Sequence, residues 1–395
     1  SLVGSEMCIR DSIYNKVNCC GCNACVQICP QKCIIMEEDY EGFLYPKIEL
    51  QKCINCRLCE KVCPVLNRFS SSTVLDSYAC YTYNEYIQER SSSGGILYEM
   101  SKYILEKKGI VCGACFDENW EVFHSCADNV EDSVKFRGSK YVQSKIGDVY
   151  SHVKDYLKKG KYVLFIGTPC QVSGLNHFLL KKYENLITVD IICHSVPSPK
   201  VWRYYLAEIS RYNSVTNVQF RDKSNGWKNY SIKVNSDDRI LLHEGKKQNL
   251  YMRGFLEDLY TRPSCSDCPA RNYTSGSDFT IGDFWGCEKY YSIAQFEKGC
   301  SIVLINTVKG KTLFFNMKEN FYSVPVPYEY VEPYGLHKPL TSSSKPHYNR
   351  EYFYKNLEVT KSIRFLIFKC IIVLELKKRM KTAVDKCCKC FSNGK

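Results

Sequence analysis

Apolar residues between positions 77 and 212 fall into short runs separated by segments with helical periodicity. The runs 162–166 and 186–193 predict buried strands, and residues 96–104 place their apolar side chains on one face of a helix. Strands that alternate with helices predict an α/β domain, α+β overall, built on a mixed but mainly parallel sheet. A smaller antiparallel group is predicted from three later strands, near 215–221, 230–234 and 239–243.

One cysteine pattern occurs twice within the first 64 residues. The first copy is Cys19, Cys22, Cys25, Cys29 and Pro30, and the second is Cys53, Cys56, Cys59, Cys63 and Pro64. Both copies have the C-x2-C-x2-C-x3-C-P spacing of two-cluster bacterial ferredoxins, in which the fourth cysteine of each copy ligates the other cluster. The spacing therefore predicts two crossed 4Fe-4S sites, in which Cys63 completes the first trio and Cys29 completes the second.

Other uses of cysteine fit this pattern less well. Zinc sites normally combine two C-x2-C pairs across a longer loop, and disulfides belong to oxidising compartments, for which no signal peptide is evident. Although the chain has 25 cysteines in 395 residues, many of them cluster in metal-type spacings. We therefore expect a cytoplasmic metal-binding protein rather than a secreted disulfide scaffold.

The net charge of +12 is concentrated at one end of the chain. Residues 361–395 contain ten Lys or Arg and two acidic residues, so this segment carries two thirds of the net positive charge. Little positive charge remains on the folded body to form a phosphate-binding face, so we expect no nucleic-acid partner. The apolar segment 363–376 precedes a basic run and is too short to span a bilayer. We expect this helix to contact an anionic membrane surface or a partner, with packing on the body as the alternative.

Four more cysteines form a candidate third site. Cys265 and Cys268 lie in a loop, and Cys170 and Cys193 follow two adjacent predicted strands, where open α/β sheets collect their ligands. The spacing alone does not separate a third 4Fe-4S cluster from a structural zinc or from unligated core thiols. The pair Cys112 and Cys115 differs, because residues three apart on a strand face opposite ways, and we interpret both as core thiols.

Two glycine-containing segments are candidates for ligand binding. The run 91–95, Ser-Ser-Ser-Gly-Gly, precedes a helix and could meet an anion, but a plain serine N-cap is the simpler interpretation. Asp283 lies in the turn after a strand, where it could bind a ligand hydroxyl or ring nitrogen, or cap the turn.

Several of these stretches together resemble one family, the beta subunits of coenzyme F420-reducing hydrogenases and dehydrogenases. They are the double cysteine run, 91–95, 138–144 (GSKYVQS), 167–175 (GTPCQVSGL), Cys193-His194, 265–268 and 281–286 (IGDFWG). The resemblance implies a flavin-binding domain that exchanges electrons with iron–sulfur clusters, and it favours the third cluster. It also implies flavin contacts from Ser92, Ser93, Gly94, Gly95, Ser139, Lys140, Gln143, Ser144, Thr168 and Gln171, with Asp283 as a further candidate.

The predicted organisation has four parts. Residues 1–13 are unstructured or extraneous, 14–68 form the two-cluster module, 77–330 the flavin domain, and 331–395 an extension. We expect an iron–sulfur flavoprotein oxidoreductase that takes electrons from a ferredoxin or a partner subunit, binds FAD and acts on a small organic acceptor. His194 or Lys140 is expected to supply a proton or stabilise a flavin anion. An electron-transfer subunit without its own substrate, or a zinc-stabilised binding module, is the alternative.

Overall fold

A computed structural model describes residues 17–237, 239–331, 340–341, 344–372 and 376. The two cysteine runs share one backbone conformation. Gly21 and Asn55 have positive φ at the same place in each copy, and so do Asn23 and Arg57 at the start of the helix that follows. These left-handed residues curl each loop so that its cysteines converge. The elements of this module are helix α1 (Ala24–Ile28), strands β1 (Ile34–Glu38) and β2 (Leu44–Ile48), which pair in antiparallel fashion, and helix α2 (Leu58–Lys61).

A mixed eight-stranded sheet forms the centre of the body. Its strands, in chain order, are β3 (Asp76–Thr82), β4 (Ile110–Phe116), β5 (Val122–Ala127), β6 (Val163–Gly167), β7 (Leu186–Ile191), β11 (Phe279–Asp283), β12 (Ser301–Ile305) and β13 (Phe321–Pro325). The order across the sheet is β13-β3-β12-β11-β7-β6-β4-β5. Only the four strands β11, β7, β6 and β4 are parallel, and antiparallel strands flank them on both sides. The predicted mixed α/β sheet is confirmed.

The helices of the body pack against this sheet and against a smaller sheet described below. In chain order they are α3 (Glu85–Arg90), α4 (Ile96–Glu106), α5 (Val130–Ser133), α6 (Val149–Lys158), α7 (Pro169–Leu179), α8 (Pro199–Ser210), α9 (Leu250–Leu256), α10 (Val308–Met317), α11 (Tyr328–Val331) and α12 (Arg350–Leu357). Pro169 is the first residue of α7, as its fixed φ favours, and Thr168 and Gln171 form a capping box in front of it. Strand β6 therefore leads directly into the capped first turn of α7.

The three-stranded antiparallel sheet is also present. It consists of β8 (Asn217–Asp222), β9 (Ser231–Asn235) and β10 (Ile240–Gly245) in the order β10-β9-β8. The helical residues 363–372 pack against it, because Ile363, Ile367 and Ile371 are buried in the same core as α8 and α9. The body thus covers one face of this helix. The basic residues that follow, 377–395, lie outside the described part of the chain, as do residues 1–13, and within that part no helix is long and apolar enough to cross a membrane.

Two expectations about single residues are wrong. Cys112 and Cys115 are both buried on β4, but Cys112 forms a disulfide with Cys126, because the antiparallel register places these residues directly opposite each other. A serine cap on α4 is also absent, since the N-cap residue is Gly95, with φ of 88° and no side-chain hydrogen bond. The serine hydroxyls make other contacts instead.

Candidate functional site

The first group of thiols lines a cavity inside the N-terminal module. Cys19, Cys22 and Cys25 come from the first cysteine run and Cys63 from the second, and the lining also includes Cys20 and the apolar residues Met36, Pro46 and Val65. Helix α7 approaches this group closely, because a Cβ at Gly174 would lie 2.8 Å from the Cβ of Cys22. Burial raises the pKa of the Cys25 thiol. A buried thiolate is costly unless a cation compensates it, and a cluster iron would supply that compensation.

The second group lines a cavity nearer the surface. It consists of Cys29 from the first run and Cys53, Cys56 and Cys59 from the second. Cys56 is exposed, and so is the neighbouring Ile54, with 59% of its surface accessible. Cys33 lies beside this group, with its Sγ 3.4 Å from that of Cys29. The structure thus brings together the same crossed sets of four that the spacing predicts, and their role as cluster ligands stays a prediction.

The third group lies at the carboxyl ends of β6 and β7. Cys170 is at the start of α7, and Cys193 follows β7. Cys265 lies within the 3-10 helix Pro263–Asp267, and Cys268 is the residue that follows it. Burial raises the pKa of Cys265 to about 12, with a further contribution from the neighbouring Cys268. Burial also raises the pKa of Cys268 to about 11, with a further contribution from Cys170. The four predicted thiols are therefore mutual neighbours.

Within the described residues, no group of three or more His, Cys, Asp or Glu side chains converges on the position of a single metal ion. A site for one metal ion requires its ligands to converge on a single point. A cubane cluster is larger than an ion, so its four thiolate ligands lie further apart around it.

Cys20 joins the first and third groups. The sequence pattern leaves this position unassigned, but its buried thiol is hydrogen-bonded to Cys170 on one side and to Cys22 on the other. Gln143 supports the same loop, because its Nε2 donates to the Cys20 carbonyl at 3.1 Å. A run of sulfur atoms therefore leads from the N-terminal module into the body.

The serine–glycine run lies next to the loop 138–144. The Ser139 backbone N–H and hydroxyl both donate to Ser92 Oγ, at 2.7 and 2.9 Å. Ser93 Oγ donates to the Cys300 carbonyl, and the Gly94 N–H donates to Ser301 Oγ. Two segments that are about 45 residues apart in sequence are thus held together, with Gly95 turning the chain into α4.

Arg221 and Asp283 form a buried ion pair beside this loop. The guanidinium donates to both carboxylate oxygens, at 2.8 and 3.1 Å, and also to the Ser92 carbonyl at 2.9 Å. Trp227 Nε1 donates to the same carboxylate at 3.0 Å. Both oxygens of Asp283 are therefore already used within the protein, and its main role is to pair with Arg221 rather than to cap the turn.

The remaining predicted flavin contacts also have protein partners. Thr168 and Gln171 bond to each other in the capping box, and Gln171 Nε2 donates to the Ser144 carbonyl. Ser144 Oγ lies 2.7 Å from His124 Nδ1, and burial lowers the pKa of this histidine to about 4, so the ring is neutral. These residues fix the end of β6, and their contact with a flavin stays a prediction.

The two candidate proton donors lie in different places. Lys140 Nζ donates to the carbonyls of Lys135 and Arg137, and burial lowers its pKa to about 7. His194 follows Cys193 directly, and its Nε2 lies 3.0 Å from Asp258 Oδ1. The histidine therefore adjoins the third thiol group, whereas the lysine adjoins the serine–glycine loop.

Two models of one protein family, the beta subunits of coenzyme F420 hydrogenase/dehydrogenase, match this sequence. The model of the amino-terminal part of these beta subunits matches residues 77–150, and the model of their carboxyl-terminal part matches residues 160–327, so together they match more than half of the chain. The chain belongs to this family of coenzyme F420 hydrogenase/dehydrogenase beta subunits. A model of a 4Fe-4S dicluster domain matches residues 18–67. This family member therefore carries a 4Fe-4S ferredoxin-type domain, which implies a role in electron transfer.

Individual proteins resemble the chain over different spans. It is 26% identical over 312 residues to one subunit of the F(420)H(2) dehydrogenase of Methanosarcina mazei, and the match covers 71% of this chain and 83% of that protein. A ferredoxin of Saccharopolyspora erythraea is 36% identical over 74 residues, 18% of this chain and 65% of that protein. A chain of the F420-reducing NiFe hydrogenase complex from Methanosarcina barkeri matches with a TM-score of 0.48 and 18% identity, over 74% of this chain and 95% of that one.

Three residues of this family member's site were missed by the sequence patterns. They are Cys20, Arg221 and Arg262, and each contacts a distant part of the chain. Cys20 bonds to Cys170, Arg221 bonds to Ser92 and Asp283, and Arg262 donates to the Cys19 and Leu44 carbonyls. For Arg221 the alternation gives no signal, because Val218 and Phe220 are the apolar positions of β8 and Arg221 falls on the opposite face. It is buried nonetheless, at an irregularity in the register between Gln219 and Asp222.

Replacing Asp283 by asparagine is expected to destabilise the protein by about 3 kcal/mol. The change leaves the Arg221 guanidinium buried without its carboxylate, which costs more than the lost hydrogen bonds alone. Anaerobic denaturation with urea measures the effect. Asp222→Asn is the matched control, because Asp222 pairs with the half-exposed His243 and its loss should cost less than about 1 kcal/mol. Equal stability of the two variants would contradict the role given to the buried pair.

Proposed function

We propose that this chain is an iron–sulfur flavoprotein oxidoreductase, which passes electrons between three 4Fe-4S clusters and FAD and thereby reduces or oxidises an organic acceptor. Bound FAD would supply the chemistry that links one-electron carriers to a two-electron organic substrate. The crossed groups of the module would hold two clusters, and Cys170, Cys193, Cys265 and Cys268 the third.

The run of thiols from the surface into the body is the observation that carries this proposal. It begins at the exposed Cys56, continues to Cys59, which is close enough to act electrostatically on Cys25 of the first group, and reaches Cys170 by way of Cys20. Each group lies next to the following one, and the last is at the sheet edge where α/β proteins bind their ligands. A chain that only needed zinc for stability would gain nothing from such a series.

The serine–glycine loop provides the features that an anionic cofactor needs. Arg221 pairs with Asp283, and Lys223 and Lys246 lie within electrostatic reach of both. Burial lowers the pKa of Lys223 to about 7, with a further contribution from Arg221, so an anion bound here would favour the charged form of this lysine. Arg221 Nε is buried, and in the described part of the chain it has no hydrogen-bond partner. The Arg221 guanidinium also lies over the rings of Tyr230 and Trp285. Buried cations beside aromatic faces suit a phosphate-bearing molecule with a planar ring.

The exposed face around Cys56 is the natural contact for an electron donor, such as a ferredoxin or a partner redox subunit. Ile54 and Leu50 expose more than half of their surfaces there. The neighbouring charges of Lys47 and Lys52 are paired with glutamates of the same module. A donor would therefore meet an apolar surface of low net charge.

Analysis of anaerobically purified protein tests the proposal. We expect about twelve irons, about twelve sulfides and one FAD per chain, and a flavin spectrum that dithionite bleaches and air restores. About eight irons would remove the third cluster from the proposal. Zinc without sulfide, or colourless protein after reconstitution with iron, sulfide and FAD, would refute it. Clusters and flavin that cycle without turnover of any acceptor would indicate an electron-transfer subunit with no substrate of its own.

Lys140 is proposed to supply a proton near the serine–glycine loop. Since burial lowers its pKa to about 7, the amine is charged below that pH and neutral above it. Acceptor turnover that needs the charged form should fall as the pH rises through 7. Lys140→Arg stays charged but does not release its proton in this pH range, so it should lower turnover below pH 7 at least about 100-fold and remove the fall near pH 7. Lys135→Arg, at an exposed neighbour, should keep both the rate and the pH profile of the wild type. Identical pH profiles in all three proteins would exclude Lys140.

A further inference from the structure

Arg262 is a buried arginine between the N-terminal module and the body. Only 1% of its surface is accessible. Its Nε donates to the Cys19 carbonyl at 2.7 Å, Nη2 to the Leu44 carbonyl at 2.9 Å, and Nη1 to Gln143 Oε1 at 2.9 Å. Gly21 is needed beside it, because a Cβ there would lie 2.8 Å from Nη1. Each of the three guanidinium nitrogens thus donates a hydrogen bond, and all three acceptors are neutral groups.

No carboxylate in the described part of the chain forms an ion pair with this guanidinium. Buried charges in proteins are normally paired, since an isolated one is expensive to desolvate. The Arg262 side chain is bonded to the backbone of Cys19, and the Arg262 carbonyl accepts from the Cys265 N–H at 3.0 Å. The cation is thus joined to a cysteine of the first group and to one of the third, and thiolates of these groups can balance its charge.

We propose that Arg262 is a positioning residue that sets the reduction potentials of the first and third clusters. This inference rests on the proposed function, because it requires clusters in both groups. Reduction adds one electron and hence one negative charge to a cluster. A fixed positive charge in a dry interior stabilises the reduced form, so Arg262 raises both potentials.

The second group supplies an internal reference. Its four cysteines lie in a separate cavity, and its exposed Cys56 is in contact with solvent, which screens distant charges. Arg262 should therefore act on two of the three reduction steps. A residue that served only to attach the module to the body would not shift the reduction potentials of the first and third clusters relative to that of the second.

The test is a redox titration of the holoprotein followed by electron paramagnetic resonance. In Arg262→Gln, the ratio of reduced to oxidised cluster at a fixed potential should fall about ten-fold for the first and third clusters, which is a shift of about 59 mV for one electron. Arg262→Lys keeps the charge and should shift both potentials by less than half as much. The step that disappears in Cys56→Ala identifies the second cluster.

Two further variants separate charge from architecture. Gln143→Glu places a carboxylate against the guanidinium without removing it, and should lower the same two potentials even if Arg262→Gln fails to assemble. Arg203→Gln removes another link between module and body, but this arginine already has carboxylate partners in Glu38 and Glu121, so the potentials should stay as they are.

Each outcome decides between the proposals. Unchanged first and third potentials in Gln143→Glu, with normal iron and flavin content, would overturn the role of Arg262 while leaving the proposed function intact. Equal shifts in Arg203→Gln and Arg262→Gln would also overturn it. Wild-type protein without any cluster signal would instead refute the proposed function.

Discussion

Replacing Cys170 by alanine is expected to reduce the iron content from about twelve to about eight per chain and to slow flavin reduction by a protein donor at least 100-fold. Cys170 is the member of the third group that touches Cys20, and through it the first group. Without the third cluster, the electron would have to cross from the module to the flavin over a longer distance. The N-terminal module would still accept electrons, but it would pass them to the flavin only slowly.

Stopped-flow mixing with a reduced ferredoxin measures this effect, since cluster and flavin absorbance bleach at different wavelengths. Dithionite, a small reductant, should still reduce the flavin of the variant directly. Cys115→Ala is the matched control, because Cys115 is a buried thiol of β4 that contacts Ser125 and belongs to none of the three groups. Full flavin reduction at the wild-type rate in Cys170→Ala would show that the third group is not on the path.

Local sequence patterns predicted the parts of the site that are themselves local. The two cysteine runs determine their own loops, because three ligands lie within seven residues and the positive φ values recur at the same places. The turn from β6 into α7 is also local, since Pro169 and the Thr168–Gln171 capping box act within four residues. In both cases the side chains that form the structure are neighbours in the chain.

Contacts between distant segments could not be predicted in this way. Arg262 contacts Cys19, 243 residues away in sequence, and Leu44, 218 residues away. The periodicity of the sequence does not predict contacts of this kind. The disulfide between Cys112 and Cys126 depends on the register of two strands, which a one-residue slip would change. The serine–glycine loop was misjudged for a related reason, because Ser92 bonds to Ser139 in the loop before α6 and Ser93 bonds to the Cys300 carbonyl just before β12.

Pairs of cysteine replacements are expected to reveal which thiols share a cluster. If Cys63 completes the first group, Cys63→Ala and Cys25→Ala each remove the same four irons, so the double variant should also lose about four. Cys63→Ala combined with Cys59→Ala should lose about eight, because Cys59 belongs to the second group. An uncrossed arrangement predicts the reverse order of losses.

Iron and sulfide analysis of the anaerobically purified variants gives this result without any activity assay. Cys33→Ala is the control for nonspecific damage: its thiol lies 3.4 Å from that of Cys29 but is outside both sets of four, and its loss should leave all irons in place. The crossed arrangement also makes the module a single unit, since each cluster would join both halves of the chain. Removing either fourth cysteine should therefore loosen both loops, and additive losses of about eight irons in the Cys63–Cys25 pair would contradict that account.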